Sequence, residues 1–116
     1  MRRTLIIARF DPADADTIAE IFAESDATEL PHLLNASSRT LFRFHDLYAH
    51  LIEADGDLPA GLDDVRAHPL FHDLNEKLGK YVRPYDPGWS SPRDAMANAF
   101  YSWQSDRVRS PGGSAH

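Results

Sequence analysis

The chain has no cysteine among its 116 residues. That excludes disulfides, thiolate metal sites and a cysteine nucleophile. Positive charge is also scarce: 12 Lys and Arg stand against 18 Asp and Glu, a formal charge of −6. Non-specific nucleic-acid binding needs a basic face to meet phosphates, so that class is not expected. Long apolar runs are missing too. The run Leu5-Ile6-Ile7-Ala8 is far too short to span a bilayer. Arg2 and Arg3 precede it, but it stops at Arg9, without the longer apolar core and cleavage site of a signal peptide. No internal repeat is visible. These absences lead us to expect a soluble, cytoplasmic protein with no membrane or nucleic-acid partner.

What is present describes one domain. The hydrophobic fraction of 42% is ordinary, and the length suits a single two-layer core. Residues 4 to 10 are apolar and β-branched enough for a central strand. Asp11 then offers an N-cap and Pro12 a first helical residue. Ala15, Ile18, Ile21 and Phe22 recur at helical spacing, so a helix is expected to end near Ser25-Asp26. Residues 27 to 37, with Pro31, read as a loop.

A hairpin follows. Thr40, Phe42 and Phe44 alternate with Arg39, Leu41, Arg43 and His45. Tyr48, His50 and Ile52 alternate with Leu47, Ala49 and Leu51. This is period-two patterning on both sides of a two-residue turn. His45 and Asp46 are adjacent at that turn and are assigned to it. Leu62, Val65, Leu70 or Phe71, Leu74, Leu78 and Tyr81 form a second helical stripe. Pro69 interrupts it and predicts a short helix followed by a fresh start. Pro84, Pro87, Gly88 and Pro92 mark a long loop. Residues 95 to 104, with Phe100, Tyr101 and Trp103, read as a last strand. Residues 105 to 116 are expected to be a flexible tail beyond a domain of 1 to 104.

The order β-α-β-β-α-β is that of a ferredoxin-like α+β domain: a four-stranded antiparallel sheet with both helices on one face. The other face of the sheet needs a cover, and dimerisation would supply it, giving a dimeric, barrel-like α+β assembly. His50 falls mid-strand among apolar neighbours. An imidazole there is either a hydrogen-bonded core residue or the wall of a reactive pocket. His68 and His72 share a helical face, but no third metal ligand accompanies them.

Several segments together resemble a known family: Asp11 to Ala15, Phe22 to Pro31, Leu41 to Asp55, His68 to Phe71, and Phe100 to Trp103. The chain is similar over about residues 1–104 to the small aromatic polyketide cyclases of the tetracenomycin F2 cyclase type. The resemblance implies a ferredoxin-like homodimer that needs no cofactor. It implies an enzyme that folds a poly-β-ketone intermediate and promotes aldol ring closure with loss of water, in antibiotic or pigment biosynthesis. By matching motif, the catalytic candidates are Asp26, Arg39 and His50. One departure is Ser25, where family members can carry His beside the aspartate.

The chemistry fits those residue types. A carbon flanked by two carbonyls is acidic enough for a weak base, and His, with an ordinary pKa of about 6.5, suits that task. Arg39 could hold a developing enolate, with Asp26 orienting it. Phe42, Phe44, Tyr48, Phe71 and Trp89 are candidates to line a flat substrate cavity. Trp103 fits a core or dimer interface better than a substrate platform. Expected partners are the polyketide, free or carrier-bound, a second copy of the chain, and components of a minimal polyketide synthase. Two alternatives stand beside the cyclase: a non-catalytic protein that binds and templates the polyketide, and a cofactor-independent monooxygenase of related dimeric fold.

Overall fold

The computed structural model describes residues 2–89, 92–103 and 105. Strand β1 spans Arg2–Phe10 and is followed by a 3₁₀ turn, Pro12–Asp14. The Asp11 carboxylate caps that turn by accepting from the Ala13 N–H at 3.0 Å. Helix α1 runs Ala15–Asp26 and buries Ile18 and Phe22. The expected loop contains a one-turn helix, α2, Leu30–Leu33, whose Leu30 is fully buried. Strands β2 (Ala36–Phe44) and β3 (Leu47–Ala54) form the expected hairpin. His45 takes a positive φ of 55° at the turn, and Asp46 pairs with Arg9 at 2.9 Å. Both are turn residues.

Pro69 divides the second helical stripe as its chemistry requires. Helix α3 spans Leu58–Val65 and α4 spans Pro69–Leu78. His68 is the N-cap of α4, its Nδ1 accepting from the Leu70 N–H at 3.1 Å. That role occupies one of the two histidines considered as a metal pair. His72 faces Glu76 on the exposed side of the helix, at 3.8 Å.

The sheet order is β2-β3-β1-β4, antiparallel throughout. It is the expected ferredoxin-like order, with β1 and β3 in the centre. The identity of the fourth strand differs. It is Val82–Pro84, paired with Ala8–Phe10 of β1. Three residues ending in proline are too short for a periodic signal, and an edge position is where a strand tolerates proline. The aromatic segment expected to be a strand makes a single bridge, Met96 to Ile6. Phe100, Tyr101 and Trp103 are 99%, 78% and 74% exposed. Their β-propensity reflects fit to a half-buried pleated surface, and among the described residues these rings pack against none. The tail beyond residue 105 lies outside the described residues.

Ile6, Ala8 and Phe10 of β1 and Tyr48, His50, Ile52 and Ala54 of β3 point toward the helices. They meet Ile18, Phe22, Leu30, Leu34, Leu58, Val65 and Leu74 in the core. The alternate residues form the opposite face. Phe42 and Phe44 lie there, 51% and 66% exposed. The β2–β3 register has one irregularity. Ala36 pairs with Ala54 and Ser38 with Glu53, so β2 advances two residues for one on β3. The bulge is confined to the start of β2, and from Ser38 to Phe44 the register with β3 is unbroken. Within that stretch Arg39, opposite Ile52, alternates in phase with Leu41, opposite His50, so it faces the helices.

Candidate active site

A cavity of about 430 Å³ lies between the inner sheet face and the helices. Aliphatic and aromatic side chains from β1, α1, β3, α3 and α4 line it, among them Ile6, Phe22, Ile52, Leu62, Phe71 and Leu74. Trp89 lines it from the loop after β4. Its volume falls in the range of small-molecule sites.

Asn75 and Arg83 also line the cavity, but its hydrogen-bonded cluster lies on the wall of Arg39, Tyr48 and His50. His50 is 5% exposed. Its Nε2 lies 2.9 Å from Arg39 Nη1 and its Nδ1 lies 3.1 Å from Tyr48 Oη. Strand alternation puts Tyr48 and His50 on the same face, and the hairpin register brings Arg39 to it from β2. On its far side the Arg39 fork grips Asp26: Nη2 donates to Oδ1 at 2.7 Å, and Nε to Oδ2 at 3.1 Å. The guanidinium also stacks 4.6 Å above the Phe22 ring, and the same ring meets His50 edge-on at 5.0 Å. Asp26 is the last residue of α1, where the helix dipole disfavours a negative charge. The Arg39 cation offsets that placement, so a residue poorly suited to its helix end is well suited to the wall.

These contacts set the electrostatics. Burial, reinforced by the adjacent Arg39 cation, pushes His50 down from 6.5 to about 3. The imidazole is therefore neutral at ordinary pH. Burial pushes the Tyr48 phenol up, while Arg39 acts against the shift; the phenol stays protonated.

Asp26, Arg39 and His50, far apart in sequence, thus form one continuous line of hydrogen bonds. Tyr48, Phe71 and Trp89 line the same cavity. Phe42 and Phe44 do not. Period-two alternation sends them to the outer face, because Phe42 pairs with Ala49 and Phe44 with Leu47, whereas Leu41 pairs with His50. Aromatic character alone carried their expected place in the cavity. Ser25 lines a separate small groove with Ile21, Thr28 and Lys77, and its carbonyl accepts from the Thr28 N–H at 3.0 Å. Sequence reasoning treated Tyr48 as an apolar liner and missed its bond to His50. The i, i+2 spacing of the two residues was the available signal. Among the described residues no group of three His, Asp or Glu side chains is placed to hold a metal ion, and no helix is long and apolar enough to cross a membrane.

An α+β fold thus encloses a mostly apolar cavity with one hydrogen-bonded wall built on half-buried Arg39 and buried His50. The chain belongs to the polyketide synthesis cyclase family, whose model matches residues 2–104. It is 52% identical to tetracenomycin F2 cyclase of Streptomyces glaucescens over 101 residues, 87% of this chain and 93% of that protein. It is 47% identical over 107 residues to the polyketide synthase CurG of Streptomyces cyaneus, covering 91% of this chain and all of that protein. The solved structure of tetracenomycin F2 cyclase, described as a type-II polyketide cyclase, superposes with a TM-score of 0.85 at 50% identity. That match covers 90% of this chain and 99% of the other.

Proposed function

We propose that this polyketide cyclase binds a poly-β-ketone in the cavity and closes one of its rings by aldol addition followed by loss of water, without a cofactor. The observation that carries the reading is the Asp26–Arg39–His50 line on the wall of a mostly apolar cavity. Poly-ketones cyclise spontaneously in several ways. A rigid cavity that admits one folded conformer accelerates one of them by bringing the reacting carbons together. Arg39 stabilises the enolate oxygen, and Asp26 keeps the guanidinium plane facing the cavity. When a substrate oxygen takes the Arg39 Nη1 hydrogen, the lone pair of His50 Nε2 is released to accept the proton from carbon.

The substrate arrives free or on a carrier from a minimal polyketide synthase, and the working unit is a homodimer. The exposed Phe42, Phe44, Phe100, Tyr101 and Trp103 support the dimer, since a single chain leaves these large rings uncovered.

The low basicity of His50 favours a second reading, in which the protein only templates the chain. Replacing His50 separates the two. In the catalytic reading His50→Gln stays folded and loses turnover by about two to four orders of magnitude, as expected for removal of a general acid or base. In the template reading His50→Gln turns over like the parent protein, and only His50→Ala, which leaves a hole, lowers the melting temperature.

A further inference from the structure

We infer that Tyr48 donates its phenolic hydrogen to a substrate carbonyl oxygen, and that Arg39 and His50 together dictate this direction. The inference rests on the cyclase reading and adds a second oxygen-binding donor to it.

Counting hydrogens along the wall fixes the direction of each bond. A guanidinium has donors only. With Arg39 Nη1 at 2.9 Å, His50 Nε2 must present its lone pair. A neutral imidazole carries one N–H, so that hydrogen is on Nδ1. The partner of Nδ1 is the Tyr48 hydroxyl at 3.1 Å, and the hydroxyl oxygen is therefore the acceptor. The phenol keeps its own O–H hydrogen, for which the described residues supply no acceptor. Tyr48 is 5% exposed and lines the cavity. The ring is held from behind by an edge-on contact with Phe10 at 6.0 Å. A buried donor without a partner is costly, and a ligand carbonyl entering the cavity satisfies it. The same burial keeps the phenol protonated.

The consequence for catalysis is a division of labour. Arg39 meets the oxygen that becomes the enolate. Tyr48 meets the oxygen of the ketone under attack, which gains charge as the carbon–carbon bond forms. His50 sits between the two donors and spaces them, so a poly-ketone is gripped at two of its carbonyls at once. That selects which pair of carbonyls reacts.

The first test is nitrogen NMR of protein labelled in histidine, with His50 assigned from the spectrum of His50→Gln. The expected result at neutral pH is a protonated Nδ1 and a bare Nε2; the opposite tautomer overturns the inference. The second test uses Tyr48→Phe and, as a fold-preserving companion, 3-fluorotyrosine at position 48. The phenyl variant should lose kcat by about 10²-fold, the usual cost of one oriented oxyanion donor, with KM little changed. The more acidic fluorophenol, a stronger donor, should keep or exceed the parent kcat. Tyr48→Phe with parent-level kcat overturns the inference while leaving the cyclase reading intact. If the parent protein itself leaves the polyketide products unaltered, the cyclase reading fails, and the donor is then read by fluorescence titration with 1-acetonaphthone, an aryl ketone with one carbonyl. There a roughly tenfold weaker Kd for Tyr48→Phe, the worth of about one hydrogen bond, supports the donor, and an unchanged Kd overturns it.

Discussion

Acidification should destabilise this protein through His50, and the size of the effect follows from the site. In the folded chain the imidazole titrates at about 3, because burial and the neighbouring Arg39 both oppose its charge. Once unfolded it returns to about 6.5. The folded value lies below the unfolded one, so between the two the unfolded state binds the extra proton. Stability is then complete above the unfolded value and falls as pH drops, by about 1.4 kcal/mol per unit. From about pH 7 to about pH 5 the unfolded imidazole becomes almost fully protonated while the folded one does not, a loss of about 2 kcal/mol. His50→Gln has no such group. Urea unfolding of both proteins, at one protein concentration and both pH values, isolates the term, because all other titrating residues are shared. The parent protein should lose about 2 kcal/mol more than the variant. Equal losses would mean that His50 takes its proton in the folded state, and the buried pairing with Arg39 would be wrong.

Arg39→Lys should remain folded but lose turnover by about 10²-fold in steady-state assays. A lysine point charge cannot grip Asp26 in a fork and still donate to His50. The double change Phe42→Ser and Phe44→Ser should shift the protein toward monomer in light scattering while leaving its circular dichroism unchanged, because both rings stand on the outer face of the sheet, remote from the core. A dimer of unchanged strength would show that this face is not the interface.

Much of the fold was legible because its signals are periodic. Tyr48, His50 and Ile52 alternate strictly and are buried strictly in alternation. Asp11-Pro12 marks the start of a capped 3₁₀ turn that leads into α1, and Pro69 the first residue of α4. The fourth strand was illegible for the converse reason. Val82–Pro84 is too short to have a period, whereas Phe100 to Trp103 has strand composition without a partner. The site was legible in part. Asp26, Arg39 and His50 came from motif resemblance, and no local pattern announces that they meet. The hairpin register places Arg39 and His50 on one face, but the arrival of Asp26 from the end of α1 is a tertiary contact that strand alternation does not report. Phe42 and Phe44 were misplaced because composition identifies ligand-friendly rings and register alone decides which way they point. The polar role of Tyr48 was hidden because its hydrogen bond is fixed by the tautomer of a neighbour, a property of the assembled wall.

The central claim is that the protein directs ring closure of a poly-β-ketone. The most direct measurement is product analysis of a reconstituted minimal polyketide synthase, run without this protein, with it, and with His50→Gln. With the parent protein, one cyclised aromatic product should replace the mixture of spontaneous products and should appear faster; with His50→Gln the mixture should return. The same mixture at the same rate in all three reactions would contradict the account.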